Sequence, residues 1–342
     1  MGEEFLNEKE ITEDINLCNS NGTLNKESIG WSRKSLFDCN LKGRWLRKKR
    51  WNYWSVISPE CLFSVTVSNI DYAGMVFAYF YDFKTKKFIE KTVMTPFGKG
   101  CKMPSGVHET VSFINKQMNA DLIAQKNDTR ILCYSADFGS EKLSADFTVN
   151  FPENHETLNV VIPWNEKTFQ FTSKQEALPV EGFLIVGEET YNFSRENTFA
   201  CLDFGRGIWP YKVYWNWANA SAIIDGRSVG INLGAKWTDG TGMTENALVI
   251  DGKIIKLSEN IIYNYDKNDY MKNWFLKTEI SDRVNLEFTP FYERIAKSDL
   301  KIIKSEVHQM FGYFNGYIRD KDNNKIIFKN IIGCAEDHFG QW

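Results

Sequence analysis

The sequence predicts an all-β protein built from two tandem antiparallel β-barrel or barrel-like sandwich domains behind a short N-terminal arm. Three observations predict it. The same aromatic cassette occurs twice, as Gly43-Arg44-Trp45 followed by Trp51-Asn52-Tyr53-Trp54, and as Gly205-Arg206-Gly207-Ile208-Trp209 followed by Trp215-Asn216-Trp217. These windows hold six of the eleven tryptophans, and their matching positions lie about 163 residues apart, the near-half-chain period of a duplicated domain. Short runs alternate apolar with small polar residues, as half-buried strands do, and no long segment shows helical spacing. Aspartate-glycine pairs between apolar runs complete the picture, because they supply the positive dihedrals of two-residue hairpins.

The elements follow in order. Residues 1 to 30 are polar, with a turn at Asn21-Gly22, and read as the arm. In the first domain, residues 31–190, strands are expected over Cys61–Ser68, Tyr72–Phe83, Ile131–Phe138, Ala145–Phe151 and Leu158–Pro163. The basic run Arg44–Trp51 reads as a strand edge protected by charge. Pro179 and Glu188-Glu189 set the boundary. In the second domain, residues 191–342, hairpins are expected at Asp225-Gly226, at Asp251-Gly252 and between Met310–Arg319 and Lys325–Lys329. The closing Trp342 is expected to dock on a barrel.

Composition narrows the function. A net charge of -3 gives no electrostatic reason to expect nucleic acid or an anionic membrane as partner. No run reaches the roughly 18 apolar residues of a spanning helix, and the acidic start is unlike a signal peptide, so a cytoplasmic protein with no transmembrane segment is expected. Seven widely spaced cysteines offer neither a disulfide framework nor a C-x-x-C motif, and four single histidines offer no zinc pair. No cofactor and no metal are expected. Aromatic residues make up 15% of the chain, more than core filling needs, and point to an aromatic-lined cavity. Oligomeric state is not legible.

Glycines on both sides of Arg206 allow positive dihedrals or close approach. Arg206 itself reads either as a support paired with Asp203 or another buried acid and stacked on tryptophan, or as a ligand clamp. Period-two spacing sends Trp215 and Trp217 to one face of their strand and Tyr214 and Asn216 to the other. Glu245-Asn246 follows a glycine-rich loop that lacks a phosphate-binding signature. A carboxylate there, desolvated at a barrel mouth, would have the raised pKa of a general acid. The candidate catalytic residues are therefore Asp203, Glu245 and Tyr214. The candidate ligand-binding residues are Arg206, Trp209, Trp215, Asn216, Trp217, Asn246 and Glu336 in the second copy, and Arg44, Trp51 and Trp54 in the first. His338, flanked by acids, is a possible relay or a structural hydrogen-bonder.

Several of these motifs together resemble a bacterial family named domain of unknown function 2804. They are Gly30-Trp31-Ser32-Arg33, Leu46–Trp54, Asp71-Tyr72-Ala73, Asp203–Gly207 with Trp215-Asn216-Trp217, Thr244-Glu245-Asn246, and Glu336 with Trp342. More distantly, the chain is similar to the lipocalin-like superfamily of the carotenoid 1,2-hydratases (hydroxyneurosporene synthases). That resemblance implies tandem lipocalin-like barrels and cofactor-independent protonation of an alkene by a carboxylic acid in an aromatic cavity. It leaves Asp203, Asp239, Glu245 and Glu336 as candidates for the acid. The expected function is binding of an apolar, lipid or isoprenoid-like small molecule, extended to acid-base catalysis of the hydratase or isomerase type. The alternatives are a non-catalytic binder of a hydrophobic ligand, and a carbohydrate-binding or glycosidase-like protein with two carboxylates across a groove.

Overall fold

The computed structural model describes residues 4–299 and 304–341. Eighteen strands carry the architecture, and both halves use them in the same order. The first half contains β1 (Lys48–Ile57), β2 (Cys61–Asn69), β3 (Ala73–Asp82), β4 (Phe88–Pro96), β5 (Asn119–Ala124), β6 (Asp128–Phe138), β7 (Glu141–Asn150), β8 (Thr168–Val186) and β9 (Phe199–Ile208). The second contains β10 (Lys212–Ile224), β11 (Arg227–Ala235), β12 (Ala247–Ile250), β13 (Lys253–Lys256), β14 (Ile261–Asn264), β15 (Trp274–Thr278), β16 (Val284–Asp299), β17 (Lys304–Arg319) and β18 (Lys325–Gln341). The first sheet runs β4-β3-β2-β1-β9-β8-β7-β6-β5 and the second β13-β12-β11-β10-β18-β17-β16-β15-β14. Each strand of the first sheet thus has a counterpart nine places later. The duplication expected from the cassettes is a duplication of topology, and each sheet curls into a half-barrel.

The first sheet carries additions that the second lacks. Val111–Phe113 and Cys101–Lys102 extend its end, while Leu158–Asn165, Glu189–Phe193 and Trp31–Ser32 pair off the main path. Residues of the expected arm contribute Ile11, Leu17, Cys18 and Leu24 to the first core. The division expected at 190/191 falls ahead of a first-sheet strand. β9 pairs with β8 and β1, so the chain passes between sheets at residues 209–211.

Local chemistry explains the turns. Asp225 and Gly226 have φ of 50° and 77°, Asp251 and Gly252 have 52° and 72°, and each pair closes a two-residue hairpin. The third expected hairpin is the β17–β18 turn. The edge strand expected over the basic run is corrected. β1 is central, bonded on both sides by β2 and β9. Its charges gather at one end, where Asp71 pairs with Lys48 (3.2 Å) and Arg50 (3.3 Å). The docking expected of Trp342 lies outside the described residues.

Alternation sorts the side chains into three regions. Trp54, Val56, Leu202 and Phe204 fill the first barrel interior, and Ala218, Ala220, Ile231 and Phe314 the second. The opposite faces of β1, β9, β10 and β18 carry Trp51, Tyr53, Trp215, Trp217 and Cys334, which pack sheet against sheet. This third region buries Lys174, Glu176, Glu245 and Glu336.

Candidate functional site

Two rows of residues, one per half, occupy matching register positions on the face between the sheets. In the first half Tyr53, Asp203 and Lys174 are successive cross-strand partners on β1, β9 and β8. In the second half Trp217, Glu336 and Gln309 hold the same places on β10, β18 and β17. The rows meet where Tyr53 packs edge-on against Trp217, 5.7 Å between centroids. Asp203 and Glu336 are therefore the same position of the duplicated fold, with opposite surroundings.

Asp203 belongs to an ionic cluster. Lys174 Nζ lies 2.9 Å from Asp203 Oδ1 and 3.0 Å from Glu245 Oε2, and sits 4.7 Å over the Trp217 ring. Burial opposes the ammonium charge, but Asp203 and Glu245 outweigh it and keep Lys174 protonated well above its ordinary range. Burial pushes the Glu245 carboxyl up; Lys174 and a hydrogen bond from Trp237 Nε1 (2.5 Å) pull against that rise, while the charge of Asp203 adds to it. The raised pKa expected of Glu245 is present, and the acid is buried. It stands just before β12. Gly234 makes room for it, since a Cβ there would come within 2.0 Å of Glu245 Oε1.

Glu336 is held by neutral donors. Trp215 Nε1 donates to its Oε1 at 2.8 Å and Gln309 Nε2 to its Oε2 at 3.3 Å. Gln309 is fixed in turn, because Tyr79 Oη donates to its Oε1 at 2.9 Å and Arg294, bound to Glu90, approaches the same oxygen. Burial pushes the Glu336 carboxyl up to about 7, with Asp203 adding to the rise and Trp215 and Lys174 opposing it. His338 packs tilted against Trp215, 3.7 Å between centroids, and is pushed down to about 3, chiefly by burial, so it is neutral at physiological pH. Its Nε2 meets Ser305 Oγ at 3.0 Å. A fourth acid, Glu176, is buried next to the cluster with Oε2 accepting from Ser221 at 3.2 Å, and burial pushes its carboxyl well up.

The tryptophans form the wall of this face. Trp209 lies between Trp51 (5.5 Å) and Trp215 (5.6 Å), stacks on Trp237 (5.3 Å, 11°) and contacts Trp164 (5.0 Å). The rings pack on one another. The two cavities described lie elsewhere in the molecule, and neither is lined by tryptophan. Trp51, Asp203, Trp215 and His338 are the half-buried residues of this face nearest the acids.

The structure thus brings together Asp203, Glu245, Glu336, Trp51, Trp209, Trp215 and Trp217, and leaves other expected residues apart. Tyr214 is half exposed on the opposite face of β10, against Phe339. Asn216 points into the second barrel and donates to Tyr265 Oη and the Glu336 carbonyl. Trp54 is in the first barrel core, and Arg44 lies in a turn with φ of 44°. Asn246 ties strands, accepting from Gly234 N and donating to the Glu259 carbonyl. Asp239 accepts from Lys236 N within a turn. Arg206 neither pairs with Asp203 nor stacks on tryptophan. Asp203 is taken by Lys174, and Arg206, on the other face of β9, lies 3.8 Å over Phe204. Its flanking glycines serve close approach, since a Cβ at Gly205 would come within 2.2 Å of Trp51. Sequence reading missed Lys174, Gln309, Glu176, Trp164 and Trp237.

The chain matches the family model described as domain of unknown function (DUF2804) over residues 8–342, and it belongs to that family. No curated protein sequence matches it. Among solved structures it is similar to CghA with Sch210972, at a TM-score of 0.49 and 9% identity over 86% of this chain and 89% of that one. It is also similar to kievitone hydratase from Nectria haematococca, at 0.45 and 9% over 86% and 89%. Similarity at this level concerns the course of the chain, and the chemistry rests on the geometry above.

Proposed function

For this member of the family we propose cofactor-independent acid-base chemistry on an apolar small molecule at the face between the two sheets, with Glu336 as proton donor. The observation that supports it is a buried carboxyl, raised to about 7, whose hydrogen bonds among the described residues come from an indole N–H and an amide. Such a group is substantially protonated at neutral pH and gives up its proton readily. Donation from Glu336 to one carbon of an alkene leaves a cation on the other, which indole faces such as Trp215 and Trp51 stabilise. In hydration, water adds to that carbon and loses its extra proton through Asp203 to solvent, and Glu336 is reprotonated from solvent. In isomerisation, a neighbouring carbon loses the proton instead. Lys174 pairs with Asp203 and Glu245, so equivalent positions of the two halves supply a neutrally held acid and an ion-paired proton acceptor.

Native mass spectrometry of the purified protein identifies its copurifying ligand, and incubation of that ligand with protein in D2O tests the chemistry. The expected result is an apolar ligand that gains carbon-bound deuterium with wild-type protein and not with Glu336→Gln. A polar sugar as ligand would overturn the substrate class. A bound apolar ligand that never gains deuterium would make the protein a binder only.

A further inference from the structure

At one end of the first barrel interior two arginines face each other. Arg50 and Arg206 are direct cross-strand partners on β1 and β9, a placement that is destabilising for like charges. The second half holds Tyr214 and Phe339 at the equivalent positions, with rings 4.7 Å apart. Arg206 is only 1% exposed, yet its donors go to neutral oxygens: the carbonyls of Pro104 (3.2 Å), Trp51 (2.9 Å) and Gly205 (2.9 Å), and Asn52 Oδ1 (2.9 Å). Among the described residues it forms no ion pair with a carboxylate, and burial pushes it down to about 9. Arg50 shares Asp71 with Lys48. A cavity of about 310 Å³ opens onto both arginines, and Lys42, Asn40, Ser105 and Met103 line it with no acidic side chain.

A buried guanidinium without a counter-charge is costly, and a second cation opposite it raises that cost. The cavity supplies the space in which a compensating charge fits. We propose that it binds a small organic oxyanion, a carboxylate or phosphate monoester, whose charged end sits among Arg50, Lys42 and Arg206 and whose carbon part lies against Met103 and Leu41. The site is independent of the acid-base reading, because Arg206 and Asp203 project from opposite faces of β9.

Calorimetric titration of the full chain with inorganic phosphate, and separately with benzoate, at constant ionic strength tests the proposal. At least one anion is expected to bind saturably at one site, and which one distinguishes phosphate from carboxylate recognition. Its affinity should fall at least tenfold in both Arg50→Gln and Lys42→Gln. Lys42 is exposed, so Lys42→Gln decides if Arg50→Gln does not fold. Absence of saturable binding by either anion, or unchanged affinity in the folded variants, would overturn it.

Discussion

Asp203 and Glu336 occupy one position of a duplicated fold, yet one is an ion-pair partner and the other a carboxyl raised to about 7. The neighbour one strand over makes the difference. Lys174 neutralises the first acid at 2.9 Å, whereas Gln309 offers the second only an amide N–H at 3.3 Å. Burial raises a carboxyl, a cation at contact distance opposes that rise, and a neutral donor opposes it less. Lysine in one copy and glutamine in the other therefore give two equivalent acids a cationic and a neutral neighbour.

The largest expected effect breaks the charged side of this contrast. Lys174→Met leaves Asp203 and Glu245 without their buried cation and should cost about 3–5 kcal/mol at pH 7 in urea unfolding. Gln309→Met removes a neutral partner and should cost only about 1–2 kcal/mol. Equal losses would remove the distinction.

The next effect is a pH dependence. The Glu336 carboxyl rises from 4.5 to about 7 on folding, so the folded state holds the extra proton. Its favourable contribution is fully present below pH 4.5 and is lost as pH rises to 7. That shift, from 4.5 to about 7, corresponds to roughly 3 kcal/mol. Wild type should lose about that much relative to Glu336→Gln between pH 4.5 and 7, measured by parallel unfolding curves, and a constant difference would show that Glu336 titrates normally.

Smaller changes sharpen the contrast. Trp215→Phe removes an indole donor to Glu336 and should cost about 1.5–3 kcal/mol above pH 7. Trp237→Phe removes the matching bond to Glu245, but Lys174 still holds that acid, so its cost should be lower in the same assay. Tyr214→Ala, on the far face of β10, should change stability by less than about 0.5 kcal/mol and leave any deuterium incorporation intact.

Much of the fold was legible. The repeated cassette reported a real duplication, and aspartate-glycine pairs located two hairpins because their backbone requirement is local. Strand partnership was not legible. Arg206 was grouped with the second copy, but β9 returns to pair with β1, and nothing near Arg206 in sequence encodes a partner some 150 residues earlier. Asp203, Glu245 and Glu336 were identified as acids next to aromatic motifs. Lys174 was not, because Thr172-Ser173-Lys174-Gln175-Glu176 has the composition of a solvated loop, whereas all five are buried in β8. A polar run inside a strand becomes intelligible only when the opposing sheet that satisfies it is known.

The most direct test is a carboxyl-carbon NMR titration of glutamate-labelled protein, compared with Glu336→Gln. The geometry predicts one glutamate resonance titrating near pH 7 in the wild type and missing from the variant. If that resonance persists in the variant, or if the one that disappears titrates below pH 5, Glu336 is an ordinary carboxylate and the two halves do not differ in the way described.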